Sequence, residues 1–207
     1  MSPMEIEQRS MEIIASELQV PLPDEVRPIV MRVIHATADF SFAETLTFTP
    51  DVIPSMRQLL MDGATVITDT NMALAGINKG ALERLHARAL CFMADETIAK
   101  EARQTGQTRA WLSMEHALTV PGPMLLVCGN APTFLLSLLT RLRESSRFTD
   151  DLAVIGVPVG FVNVVEAKEQ LLKSGLPCIV SKGRRGGSTV ASAIVNALLY
   201  GIPGVRT

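Results

Sequence analysis

The chain has 207 residues, and 19 Lys+Arg against 21 Asp+Glu leave a formal net charge of −2. That balance provides no global field for nucleic acid or an anionic membrane surface, so any anion recognition has to be local. Hydrophobic residues make up 47% and aromatics only 4%, which suits helices layered on a sheet better than an aromatic-rich β-sandwich.

In chain order, the apolar spacing predicts a first helix over residues 3–18, with Ser2-Pro3 ahead of Glu5 as its start signal. After VPLPDE, a second helix opens at Asp24 and Glu25. It carries Val26, Ile29, Val30, Val33 and Ile34 on one face and ends near His35. Short apolar runs then alternate with helical patterns. Strands are predicted at 45–49, 65–68, 89–93, 124–128, 152–157 and 177–181. Helices are predicted at 50–61, 71–77, 80–85, 95–103, 108–118, 131–144, 164–173 and 187–200. Such alternation specifies an α/β fold, a mainly parallel sheet flanked by helices. No linker, repeat or low-complexity tract divides it, so residues 1–207 read as a single domain with an N-terminal helical extension.

Cys91, Cys128 and Cys178 each lie in an apolar run and lack CxxC spacing, which argues against zinc and against a disulfide framework. They read as small buried hydrophobes in a reducing compartment. The N-terminus is polar rather than signal-like, and no apolar run approaches the ~20 residues of a membrane span, so a soluble, cytoplasmic protein is expected.

Ligands in an open parallel sheet bind beyond the carboxyl ends of the strands. Four loops there are distinctive: Asp69-Thr70-Asn71-Met72, GNAPT at 129–133, VPVGF at 157–161, and SKGRRGGST at 181–189. The last combines Gly183, Gly186 and Gly187 with Lys182, Arg184, Arg185 and a Ser188 that opens a helix. It is either an anion cradle for carboxylate or phosphate, or a solvated basic turn with an ordinary cap. It is neither a Walker loop nor a dinucleotide turn. Asp69 reads as a cap for the next helix or a group that orients a ligand. Arg109 is a surface residue or a carboxylate clamp. His35 sits where an apolar helix gives way to Thr37, Asp39 and Ser41. Alone it reads as a capping or core histidine, yet an imidazole there can also deliver a proton. His86 and His116 have no partner at metal-ligand spacing, no metal site is predicted, and no nucleophile elbow appears.

IHATADF around His35, TDTNMALAGIN, VCGNAPTFL, GVPVGFVNVVEAKEQL and GRRGGSTVASAIVNALL, in this order, resemble the precorrin-8X methylmutases of cobalamin biosynthesis. The resemblance runs from about Arg9-Ser10 to the C-terminus. HATADF and Asn163-Val164-Val165 are closer to the anaerobic, cobalt-precorrin-8 branch. Met11, where an aromatic is expected, and Thr189, where proline is common, depart mildly from the pattern. The resemblance implies an isomerase that moves a methyl group from C-11 to C-12 of a tetrapyrrole, giving cobyrinate or hydrogenobyrinate. It also implies His35 as proton donor and a homodimer with sites near the subunit interface. No cofactor is expected, any cobalt being carried by the substrate. Ser10, Thr37, Asp69, Met72, Arg109, Arg184, Arg185, Gly186, Gly187 and Ser188 are the residues expected to hold the polycarboxylate. A non-catalytic tetrapyrrole carrier, or a generic phosphate-binding α/β module, would use the same loops without needing an acid.

Overall fold

A computed structural model describes residues 2–144 and 151–206. The elements in order are α1 (Pro3–Glu17), α2 (Arg27–Thr37), α3 (Phe42–Thr45), β1 (Leu46–Phe48), α4 (Val52–Met61), β2 (Thr65–Thr68), α5 (Asn71–Gly76), α6 (Lys79–Arg84), β3 (Arg88–Leu90), α7 (Glu96–Thr105), α8 (Arg109–Ala117), β4 (Met124–Cys128), α9 (Pro132–Glu144), β5 (Leu152–Gly156), α10 (Val164–Leu172), β6 (Cys178–Ser181) and α11 (Ser188–Tyr200). The strands form one sheet in the order β1-β6-β5-β4-β2-β3, parallel except for β1, which runs antiparallel along β6. The predicted α/β class and all six strands are therefore present.

Strand side chains alternate between two faces, and the buried residues divide accordingly. Leu125 and Val127 of β4 join a cluster with α2, α4, α5, α6 and α11, whereas Leu126 and Cys128 pack with α8, α9 and α10. Central strands buried on both faces read as unbroken apolar runs, as MLLVC and LAVIG do. Helix α11 is apolar all round because α2, α4 and α5 pack around it against the sheet.

One local expectation changes. Helix α2 begins at Arg27, not at the acidic pair Asp24-Glu25. The Val26 and Arg27 amides both turn back to the Pro23 carbonyl, and Pro28 falls in the first helical turn, where its missing N–H costs nothing. The N-terminal helical extension is fastened to the domain. Glu7 accepts from Arg32 at 2.7 Å and from Arg206 at 2.8 Å, joining α1 to α2 and to the C-terminal segment.

Candidate active site

Helix α2 buries Ile29, Val30, Val33 and Ile34, which turns His35 in its last turn outward. The imidazole is exposed, so it is not a core histidine, and no described residue hydrogen-bonds its ring. The helix stops two residues later by a specific arrangement. The Thr37 hydroxyl donates to the Val33 carbonyl at 2.8 Å and accepts the Asp39 amide at 3.3 Å. Ala38 takes a left-handed conformation (φ 53°), and Asp39 accepts the Ser41 amide at 3.0 Å. Thr37 thus shapes the helix end that presents His35.

The basic loop meets this turn from β6. Arg185 donates to the Asp39 carboxylate and to the Ser41 hydroxyl. Hydrogen bonds from Ser41, with the Arg185 charge beside them, hold the Asp39 carboxyl below its ordinary value despite some desolvation. Arg185, expected as a carboxylate clamp, is therefore already engaged in fastening the turn after His35. Arg184 lies over the Phe161 ring, 5.2 Å from its centroid.

The backbone of the loop is tied from below. Lys168 on α10, only 1% exposed, donates through Nζ to the Gly183 carbonyl at 2.9 Å and the Arg185 carbonyl at 2.8 Å. Burial pulls its ammonium down to about 8, with the nearby Cys128 opposing. The buried Ser181 hydroxyl donates to the same Arg185 carbonyl at 2.8 Å. The Gly160 amide donates to Arg184 at 3.1 Å, and the Gly187 amide donates to Val157 at 2.9 Å. Gly186 lies so close to β5 that an added Cβ would stand 2.1 Å from the Val157 carbonyl oxygen. Only glycine allows that approach.

Between β2 and β4, where the strand order reverses, Asp69 fills the switch point. It is fully buried. Its carboxylate accepts the backbone N–H groups of Gly129 (2.8 Å), Asn130 (2.7 Å) and Ala131 (2.7 Å), with the Cys128 thiol at 3.5 Å. Burial pushes this carboxyl up, while the three amides pull it down. Asp69 therefore caps the approach to α9 across the sheet and has no surface to offer a ligand. The cap of its own following helix α5 is Thr70, which accepts the Ala73 amide at 3.1 Å. Ser188 does not cap α11. Its hydroxyl lies 2.8 Å from that of Thr70, and Gly129 packs directly on its backbone.

The loops thus bring Arg184, Arg185, Gly186, Gly187 and Ser188 onto one rim, which Arg185 joins to the Thr37–Ser41 turn following His35, with Asp69 beneath. Met72 (72% exposed), Phe161 (82%) and Val162 (75%) project from the same loops, an apolar fringe beside the arginines. Two expected residues stand apart. The Ser10 hydroxyl donates to Ile6 of its own helix at 2.8 Å. Exposed Arg109 opens α8 in the helical layer on the other face of the sheet. Of the cysteines, Cys128 and Cys178 are buried as expected and Cys91 is only partly so.

The sequence reading missed Lys168 and the Asp39–Arg185 pair. Lys168 had a signal: Val164, Ala167 and Leu171 mark the buried stripe of α10, and position 168 falls on it. A lysine on an apolar stripe needs acceptors. The Asp39–Arg185 pair spans 146 residues and had no local signature.

The chain matches the precorrin-8X methylmutase family over residues 5–201. It belongs to that family. Precorrin-8X methylmutases are isomerases of cobalamin biosynthesis, and this chain is an isomerase of that class. The cobalt-precorrin-8 methylmutases of Priestia megaterium and Salmonella typhimurium are 39% and 38% identical to it. They match over 95% and 96% of this chain and 87% and 95% of their own. The Pseudomonas aeruginosa precorrin-8X methylmutase is 33% identical over 86% of this chain and 85% of its own. A crystal structure of the Thermus thermophilus precorrin-8X methylmutase superposes with a TM-score of 0.84 at 32% identity, covering 94% of this chain and 96% of that one.

Proposed function

We propose that this methylmutase moves the methyl group from C-11 to C-12 of cobalt-precorrin-8, with His35 as the general acid. The observation that carries the reading is the outward imidazole at the end of α2, held beside an arginine- and glycine-lined rim. The C-11–methyl bond breaks as the C-12–methyl bond forms. The product is an isomer, so the proton lent to the macrocycle is returned in full. Protonation makes the migration terminus more electrophilic, and one positioned acid typically contributes ~10²–10⁴-fold. Orientation supplies the remainder, by holding a large polycarboxylate against the rim.

Arg184 and the N-terminal turn of α11 suit the carboxylates, and Met72, Phe161 and Val162 suit the ring faces. The same apolar fringe supports a homodimer with a second copy closing the open side. Any cobalt enters as part of the macrocycle, and no protein cofactor takes part. Among the described residues no helix is long and apolar enough to cross a membrane, which is consistent with a cytoplasmic enzyme. The test is His35→Ala assayed by the absorbance change on conversion. Turnover falls by ~10²-fold or more while product binding persists. Undiminished turnover removes His35 from the mechanism, and a wild-type protein that binds the corrinoid without converting it is a carrier.

A further inference from the structure

We infer that Lys168 is a positioning residue, a buried ammonium that sets the shape of the 183–187 loop and, through Arg185, the turn that presents His35. Four observations carry this. Lys168 crosses from α10, behind the sheet, to the loop in front, and ends on the carbonyls of Gly183 and Arg185, the two residues flanking Arg184. It is 1% exposed on an otherwise apolar stripe, an environment that a lysine occupies only when its donors find fixed acceptors. The loop has no regular secondary structure of its own and carries three residues with positive φ, Gly183 (76°), Gly186 (157°) and Gly187 (131°). External bonds must therefore define it. Arg185, whose carbonyl Lys168 grips, reaches Asp39 and Ser41 with its side chain. A group with no route to the ligand thereby governs both the free arginine and the helix end.

The inference deepens the corrinoid reading and rests on it for its kinetic part, but its structural part can be tested without any ligand. Lys168→Met keeps the length and the apolar fit while removing every donor. The Gly160 and Gly187 amides, both bonded within the loop or to its support, then exchange with solvent ~10- to 100-fold faster, while the Lys182 amide, bonded to Thr45 at 2.8 Å, keeps its protection. With cobalt-precorrin-8, KM rises ~10- to 100-fold through the displaced Arg184, and kcat falls by a smaller ~3- to 10-fold through the turn that presents His35. In an Arg184→Ala/Arg185→Ala background, adding Lys168→Met changes KM by less than ~3-fold, because the side chains it aims are gone. Unchanged exchange at Gly160 and Gly187 overturns the positioning role whether or not the corrinoid reading stands. Faster exchange with unchanged KM, or a KM loss that multiplies in full onto the arginine variant, shows that the loop does not carry Lys168's effect and overturns the inference equally. A wild-type protein that neither binds nor converts the corrinoid instead refutes the proposed function.

Discussion

Replacing Asp69 by Asn tests how the switch point is built. Three backbone N–H groups and one thiol converge on the carboxylate, and Oδ1 takes Gly129 alone while Oδ2 takes Asn130 and Ala131. An asparagine can keep its oxygen on the second pair, but its amide nitrogen then faces the Gly129 N–H, donor against donor. The variant loses one charge-assisted bond and leaves a buried donor unpaired, about 3 kcal/mol in all. For a chain of this size that lowers Tm by ~6–12 °C. Asp69→Ala orphans all three amides and costs about 3–5 kcal/mol, with entry of water beside exposed Asn130 limiting the loss.

Urea unfolding followed by circular dichroism, with equal m-values, measures both. Burial opposes ionisation of this carboxyl, yet a protonated acid would place an O–H among donors only. Asp69→Asn unfolding within ~1 kcal/mol of wild type would show that the neutral acid already occupies the site. The electrostatic account of the switch point would then fail.

Gly186→Ala drives a Cβ into the Val157 carbonyl and breaks the Gly187–Val157 bond, so it destabilises by about 2–4 kcal/mol and raises KM; a Tm within ~2 °C of wild type would contradict the close packing. Lys168 provides a pH test. Its folded value is about 8 against an ordinary 10.5, so the folded state holds fewer protons than the unfolded one between those limits. Stability contributed by this group therefore rises with pH across that window, by about 3 kcal/mol in total, and is absent below it. Wild type should gain on Lys168→Met as pH climbs from 8 to 10.5 in chemical denaturation, and parallel curves would refute the burial of an ionised lysine.

Periodicity made the layers legible in the sequence. TVIT, MLLVC, LAVIG and CIVS are apolar enough to be strands buried on both faces, and the intervening helices have the lengths that parallel crossovers require. The rim loops were legible because glycine, proline and arginine cluster where strands end. Two things were not. The partner of a buried polar group is chosen by the fold, so Asp69 read as a cap for its own helix although it caps one that starts more than 60 residues later. Likewise the Arg185 guanidinium looked free because Asp39 lies far away in sequence. Local chemistry identifies which residues need partners and leaves open which partners they find.

The distribution of charge in this site follows a consistent physical logic. In the proposed mechanism the acid that exchanges a proton with a large ligand gains from exposure, and His35 is exposed. Groups that must hold geometry gain from burial, because a low-dielectric setting strengthens each bond and excludes competing water. Asp69 and Lys168 are buried groups of opposite type, and each bonds mainly to backbone rather than to the other. Asp69 fixes the β4–α9 loop, on which Ser188 rests, and Lys168 fixes the loop that leads into the same helix. One end of the rim is therefore anchored at the switch point of the sheet and the other in the layer behind it. It follows that substitutions in that layer, far from any ligand, should alter KM before they alter kcat.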